Sequence, residues 1–218
     1  MFDAPTVFPK QACPSRPADD REALAGAGVR MSFARGEEIY AQAEEADLIY
    51  EVLSGAVRTS RLLSDGRRQI GDFYYSGDLL GLEVSAEHRF SAEALIDSVV
   101  LVARRERLSS TLGTEPAHRL EVQALAAELT RVQNHLSVLG CKTACERVAS
   151  FLLDAADRNH TDRVDLPMGR QDIADFLGLT IETVSRMVSQ LQVAGVVEFK
   201  TCRTFTIRNR SALMRLSA

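Results

Sequence analysis

The sequence predicts an α+β protein: an N-terminal antiparallel β-roll of the jelly-roll kind, then a long helix, then a C-terminal winged helix-turn-helix. Three observations carry that expectation. Between Val29 and Ala103, short alternating runs are broken by turn residues at roughly 10-residue intervals. From Val122 to Leu139 the apolar residues keep a strict heptad. From Gln171 to Leu191, two short amphipathic patterns flank a glycine turn.

Composition sets the bounds. A chain of 218 residues that is 45% hydrophobic can bury a core and hold one large domain or two small ones. No apolar run approaches the length of a membrane span, and Met1 to Ala12 lacks the charged-then-apolar layout of a secretion signal. A cytoplasmic protein without membrane contact is expected. Four cysteines make no disulfide framework in a chain this long, which fits a reducing compartment. The net charge of −4 is unevenly shared: Arg163 to Ala218 holds 8 Lys or Arg against 5 Asp or Glu, a net +3, which leaves −7 for the first 162 residues. The basic excess lies with the paired helices.

Taken in order, residues 1–28 carry four of the six prolines by Pro17 and read as a flexible arm with a short helix. Strand patterns follow at Gly36–Tyr40, Asp47–Leu53, Gly55–Ser60 and Arg68–Phe73, with Gly55, Asp65-Gly66 and Ser76-Gly77 between them; Ser91 to Ala103 supplies the last strands. Residues 29–114 form the expected roll. Within 115–141, Val122, Leu125, Leu129, Val132, Leu136 and Leu139 recur at spacings of 3, 4, 3, 4 and 3. A seam that narrow suits pairing with a second copy of itself better than it suits a globular core, so a homodimer is expected, with Gly140 ending the helix.

Residues 142–218 hold a further helix, Lys142 to Arg158, then the turn Asp165–Gly169, the helix pair, and a hairpin wing from Val196 to Lys200 and Thr204 to Arg208. In the pair, Ile173, Ala174 and Leu177 are helically spaced, Gly178 takes the turn, and Thr180 is a good N-cap. At about 100° per residue, Ser185, Arg186 and Ser189 fall within roughly 60° of Glu182, with Val184, Met187, Val188 and Leu191 opposite. Arg donates twice to guanine, Glu accepts from the cytosine amino group, and Ser serves either kind of edge. Glu182, Ser185 and Arg186 are thus the candidate base-reading residues for double-stranded DNA. Arg170, Lys200, Arg203, Arg208 and Arg210 supply candidate attraction to phosphate.

Taken together, Gly36-Glu37, Ala46-Asp-x-Ile-Tyr-x-Val-x-Ser-Gly55, Ser76-Gly-Asp-Leu-Leu-Gly81, the long helix and Arg170 to Arg186 resemble the CRP/FNR superfamily of bacterial transcription regulators over nearly the whole chain. Leu166 to Arg186 with Asp65-Gly-Arg-Arg-Gln-Ile70 is most similar to the FixK type. That resemblance implies a cyclic-nucleotide-binding-like roll, an RNA polymerase partner, and work as an activator in low-oxygen, denitrification or nitrogen-fixation control. It places Glu182, Ser185 and Arg186 at base-reading positions, and Arg170, Gln171, Thr180 and Thr183 at mostly phosphate-contacting ones. Cyclic-AMP-type members carry an Arg before the Glu and a Gly before the final Arg; here those positions are Ile181 and Ser185, which implies a TTGA-N6-TCAA palindrome rather than a TGTGA-type one.

The chain also departs from its sensing relatives. Cyclic-nucleotide binders hold the phosphate with an Arg-Ser pair and the ribose with a Glu after the Gly-Asp-x-x-Gly motif, whereas here Phe90 precedes Ser91 and Leu82 follows Gly81. Arg89, one residue away, offers a rescue only through a shifted loop. A four-thiolate cluster lacks ligands, with only Cys13 before the long helix and no cysteine until Cys141. Cys141 and Cys145 amount to half a metal shell, and His88, His118, His135 and His160 show no ligand spacing. No cofactor is expected, and no catalytic constellation appears. Cys202, flanked by Lys200 and Arg203 in the wing turn, is the candidate redox residue. The alternatives are a ligand-gated regulator sensing haem, nitric oxide or a cyclic nucleotide, and a ligand-binding roll without a DNA role.

Overall fold

Two four-stranded antiparallel sheets face each other in the first half of the chain. The computed structural model describes residues 24, 26–83 and 85–217, so most of the expected N-terminal arm of residues 1–28, Cys13 included, lies outside the described residues, while Leu24, Gly26 and Ala27 are helical and Leu24 is buried. One sheet runs β1(Gly28–Phe33), β8(Ser98–Arg104), β3(Leu48–Ser54), β6(Leu79–Leu80). The other runs β2(Glu38–Tyr40), β7(Ser91–Ala94), β4(Ala56–Leu62), β5(Arg68–Tyr75). Phe33, Tyr50, Val52, Leu80 and Val100 of the first meet Tyr40, Val57, Tyr74, Ala92 and Ala94 of the second in a single buried cluster. This is the expected jelly roll, with alternate residues of each strand turned inward.

The first sheet is buried on its other face too. Ile49, Leu79, Leu101 and Ala103 pack there with Leu24, with Leu108 of α1(Arg105–Leu112), and with Ala117 and Leu120 of α2(Thr114–Cys141). Covering both faces explains why Ile49 to Val52 of β3 are all buried, Glu51 among them, and why β8 carries the continuous apolar run Val99 to Ala103. Further along α2, Arg131 reaches Asp72 at 3.2 Å and Asp78 at 3.4 Å on the roll and Glu128 on its own helix at 2.6 Å, while its guanidinium lies 4.8 Å from the Tyr74 ring centre. Tyr74 Oη donates to Glu128 at 3.2 Å. A heptad count alone does not show this anchor.

Gly140 does not end the long helix, which continues to Cys141. A helical glycine costs only about 1 kcal/mol, and the stop comes instead from Thr143. Its hydroxyl accepts from Glu146 N, and its own N–H donates to Glu146 Oε2 at 2.7 Å, a capping box that opens α3(Ala144–Asn159). Arg147 then closes the joint: Nη2 donates to Leu139 O at 2.7 Å, Nε to Lys142 O at 2.9 Å, and Nη1 to Leu177 O at 2.9 Å. One guanidinium thereby satisfies carbonyls at the ends of two helices that would otherwise lack partners.

The C-terminal unit continues with β9(Arg163–Asp165), α4(Arg170–Leu177), α5(Ile181–Val193), β10(Val197–Phe199), β11(Thr204–Ile207) and α6(Arg210–Leu216). Its wing has three strands, ordered β10-β11-β9, where the sequence suggests two; Val164 pairs with Phe205 across the third. Both β9 and α6 are too short for a periodic signal. His135, on the last part of α2, stacks on Phe176 at 4.0 Å between ring centres, and its Nε2 lies 2.8 Å from Phe176 O.

Two stability tests follow. Gly81 has φ +82, and a Cβ there would stand 2.6 Å from Tyr50 Cδ2, so Gly81→Ala should cost about 2 kcal/mol or more in urea unfolding; an unchanged midpoint would mean that Tyr50 simply yields. Burial holds the His135 imidazole below its ordinary value, against a smaller opposing effect of the Phe176 carbonyl. The unfolded chain then takes the proton more readily, so the stability is fully present above about pH 6.5 and is lost as pH falls toward the lowered folded value. His135→Gln, which keeps a donor but does not titrate, should flatten the decline in melting temperature between about pH 7.5 and 5.5. A decline of the same size in the variant would place the sensitivity elsewhere.

Candidate nucleic-acid interface

The site is built from the turn outward. Asp172 Oδ2 accepts from Gly169 N at 3.1 Å at the start of α4, and Gly178 closes it in the left-handed conformation at φ 62, its N–H returning to Ala174 O. Two residues later Thr180 opens α5, its hydroxyl accepting from Thr183 N at 3.3 Å and lying 3.2 Å from Thr183 Oγ1. Val184, Met187, Val188 and Leu191 are buried, each burial worth about 1.5–3 kcal/mol. Ile173, Ala174 and Leu177 of α4 are buried as well. The angle between the helices is therefore set by packing, and the expected division of α5 into an apolar and a polar face is what the structure has.

On the polar face Glu182 and Arg186 are exposed and Ser185 is half-buried. The Glu182 carboxyl is held below the usual carboxylate range by its own backbone N–H at the helix start and by Thr180. It is an acceptor only, as a cytosine amino group requires. Arg186 makes no hydrogen bond or ion pair among the described residues, so its five donors are open to solvent.

Around this helix the polar residues are less free. Arg170 is half-buried and donates through Nη1 to Ser185 Oγ at 3.2 Å, and Gln171 Nε2 donates to Asp175 Oδ1 at 2.7 Å. Thr180 is exposed and Thr183 half-buried. Of the basic residues expected to attract phosphate, Arg208 is paired with Glu198 through Nε at 2.7 Å, and Arg210 with Asp157 and, at 2.6 Å, Asp162. Those two cations are largely neutralised. Lys200, exposed, and Arg203, half-buried, flank the exposed Cys202 at the wing turn, and neither side chain has an ion pair among the described residues.

Along α2, Val122, Leu129, Val132 and Leu136 are 50%, 58%, 54% and 69% exposed, while Leu125 and Leu139 are half-buried. Four large apolar side chains of this one helix thus face solvent. In the roll, the Phe90 ring, directly before Ser91, lies 5.0 Å from the Arg61 guanidinium. Arg89 is exposed, with its backbone N–H on Glu83 at 2.8 Å. Burial pushes the Cys145 thiol up, which works against a thiolate ligand at that position. The links from Arg170 to Ser185 and from Arg147 to Leu177 escape sequence reasoning, since they join residues 15 and 30 apart.

Comparison with known proteins agrees with this architecture. Residues 30–115 match the cyclic nucleotide-binding domain family and residues 146–216 the Crp-like helix-turn-helix domain family. The chain is 44% identical to the nitrogen fixation regulation protein FixK of Azorhizobium caulinodans over 94% of its own length and 84% of that protein. It is 41% identical to FixK of Rhizobium meliloti, over 88% and 89%. The structure of FixK2 from Bradyrhizobium japonicum superposes with a TM-score of 0.81 at 44% identity, covering 88% of this chain and 98% of that one. The chain belongs to the CRP/FNR family of transcription regulators, in its FixK-like branch.

Proposed function

We propose that this protein is a sequence-specific DNA-binding regulator that sits as a homodimer on a TTGA-N6-TCAA palindrome and activates transcription in low-oxygen, denitrification or nitrogen-fixation control. The observation that carries the reading is the outward face of α5. An ionised Glu182 and an unpaired Arg186 stand one turn apart near its N-terminus, backed by four buried apolar residues. A recognition helix meets base edges with its N-terminal residues. Arg186 reads guanine, Glu182 the cytosine amino group, and Ser185 a T·A pair. Arg170, Gln171, Thr180 and Thr183 lie toward the phosphates, together with Lys200 and Arg203 of the wing.

The exposed stripe from Val122 to Leu139 supports the dimer, because a two-fold pair brings two α5 helices to half-sites about one helical turn apart. Bound at a promoter in the cytoplasm, such a dimer contacts RNA polymerase. Phe90 in place of the phosphate-holding arginine supports regulation without a cyclic nucleotide. Control then falls to synthesis, turnover or oxidation of Cys202, whose added negative charge in the wing turn would repel phosphate.

Replacing Leu129 and Leu136 together with Glu should give monomers by sedimentation and abolish tight operator binding; a variant that stays dimeric moves the interface elsewhere. Arg186→Ala should cost about 1–3 kcal/mol per half-site and relax the G·C position. Equal losses on matched and mismatched G·C sites would make Arg186 a phosphate contact and overturn the base assignment.

A further inference from the structure

A hydroxyl side chain on a helix ordinarily donates back to the carbonyl one turn earlier. Among the described residues Thr130 does so to Ala126 O at 2.9 Å, Ser137 to Gln133 O at 3.0 Å and Ser189 to Ser185 O at 2.9 Å. Ser185 does not. Its Oγ lies instead 3.2 Å from Arg170 Nη1, and a guanidinium has donors but no acceptor. The serine oxygen is therefore the acceptor in this pair. Its one proton is left over, and among the described residues nothing takes it.

Arg170 is kept in that position from the other side. Its guanidinium carbon lies 5.8 Å from the Phe199 ring centre in the wing, within the range of a cation–π contact. Its Nε is buried without an acceptor among the described residues, so the group is wedged between α5 and the wing rather than extended into solvent. A free serine serves donors and acceptors alike and discriminates poorly between base edges. One whose oxygen already accepts from a cation has one lone pair left and is polarised toward giving its proton.

We propose that Arg170 is a positioning residue for base selection: by taking one of the two lone pairs of Ser185 and polarising its O–H, it biases that hydroxyl toward donating to the groove, so that α5 favours a base edge bearing an acceptor, thymine O4 or a purine N7, over the amino group of cytosine. The proposal rests on the base-reading assignment of Ser185 made above. It gives Arg170 an effect on sequence preference that a phosphate contact does not have.

The test measures affinity by fluorescence anisotropy on palindromes in which each thymine of the half-site is replaced in turn by 5-methylcytosine opposite guanine. That exchange keeps the methyl group and turns the O4 acceptor into an amino donor. At the position facing Ser185 the wild type should prefer thymine about tenfold. Arg170→Met keeps an apolar stem against Phe199 but cannot donate, and its preference should fall to about twofold. Arg170→Lys, a donor only, should stay within about threefold of wild type. Ser185→Ala should lose the preference at the same position, and the double variant should lose no more. Should Arg170→Met not fold, Arg170→Gln, which can accept as well as donate, is expected to relax the preference in its place. If Arg170→Met weakens both duplexes equally while Ser185→Ala abolishes the preference, Arg170 is a phosphate contact only and the proposal is overturned with the base assignment intact. If Ser185→Ala keeps the preference at every thymine, the base assignment falls and the proposal with it.

Discussion

The C-terminal unit depends on the burial of one side of α5. Val184, Met187, Val188 and Leu191 can enter the core only if the opposite side faces water, and that side carries Glu182, Ser185 and Arg186. The left-handed Gly178 and the Thr180 cap set where the helix begins, and the start of the helix sets where the polar groups stand. Arg147 ties the carbonyl end of α4 to that of the long helix, so the reader is braced by hydrogen bonds as well as by packing.

In the roll, which matches the cyclic nucleotide-binding domain family, several polar and aromatic side chains are taken up by partners within the chain. Phe90 lies beside Arg61, Glu93 pairs with Arg58 at 2.9 Å, and His88 stacks on Tyr40 at 3.8 Å between ring centres. These contacts stabilise the roll through its own residues. The long helix is fastened to that roll by Ala117, Leu120 and Arg131, and leaves Val122, Leu129 and Val132 exposed, and Leu136 beyond them.

How much of this was legible in the sequence depended on the range of the interaction. Gly178, Thr180 and the α5 stripe declare themselves within a few residues, and the heptad within one helix, so the reader and the long helix could be placed from spacing alone. The strands of the roll were readable where one face met water and the pattern alternated. Gly140 misled because a glycine near an expected helix end looks like a cap, while the capping box formed by Thr143 and Glu146 supplied the actual stop. Strand β9 and helix α6 give no periodic signal at 3 and 7 residues. Pairings such as Arg131 with Asp72, or Arg210 with Asp162, need the fold before they can be seen, and the second of these removes a cation that charge counting had assigned to phosphate.

The central claim is that α5 of an unliganded dimer reads a TTGA half-site. The most direct measurement is the affinity of the purified protein, in air and without any added ligand, for a TTGA-N6-TCAA duplex beside a TGTGA-type palindrome of equal length and salt. The account predicts at least about tenfold tighter binding to the first, roughly 1.4 kcal/mol, with no gain on adding cyclic AMP. Equal affinity for the two, or a preference that appears only with the nucleotide, would contradict it.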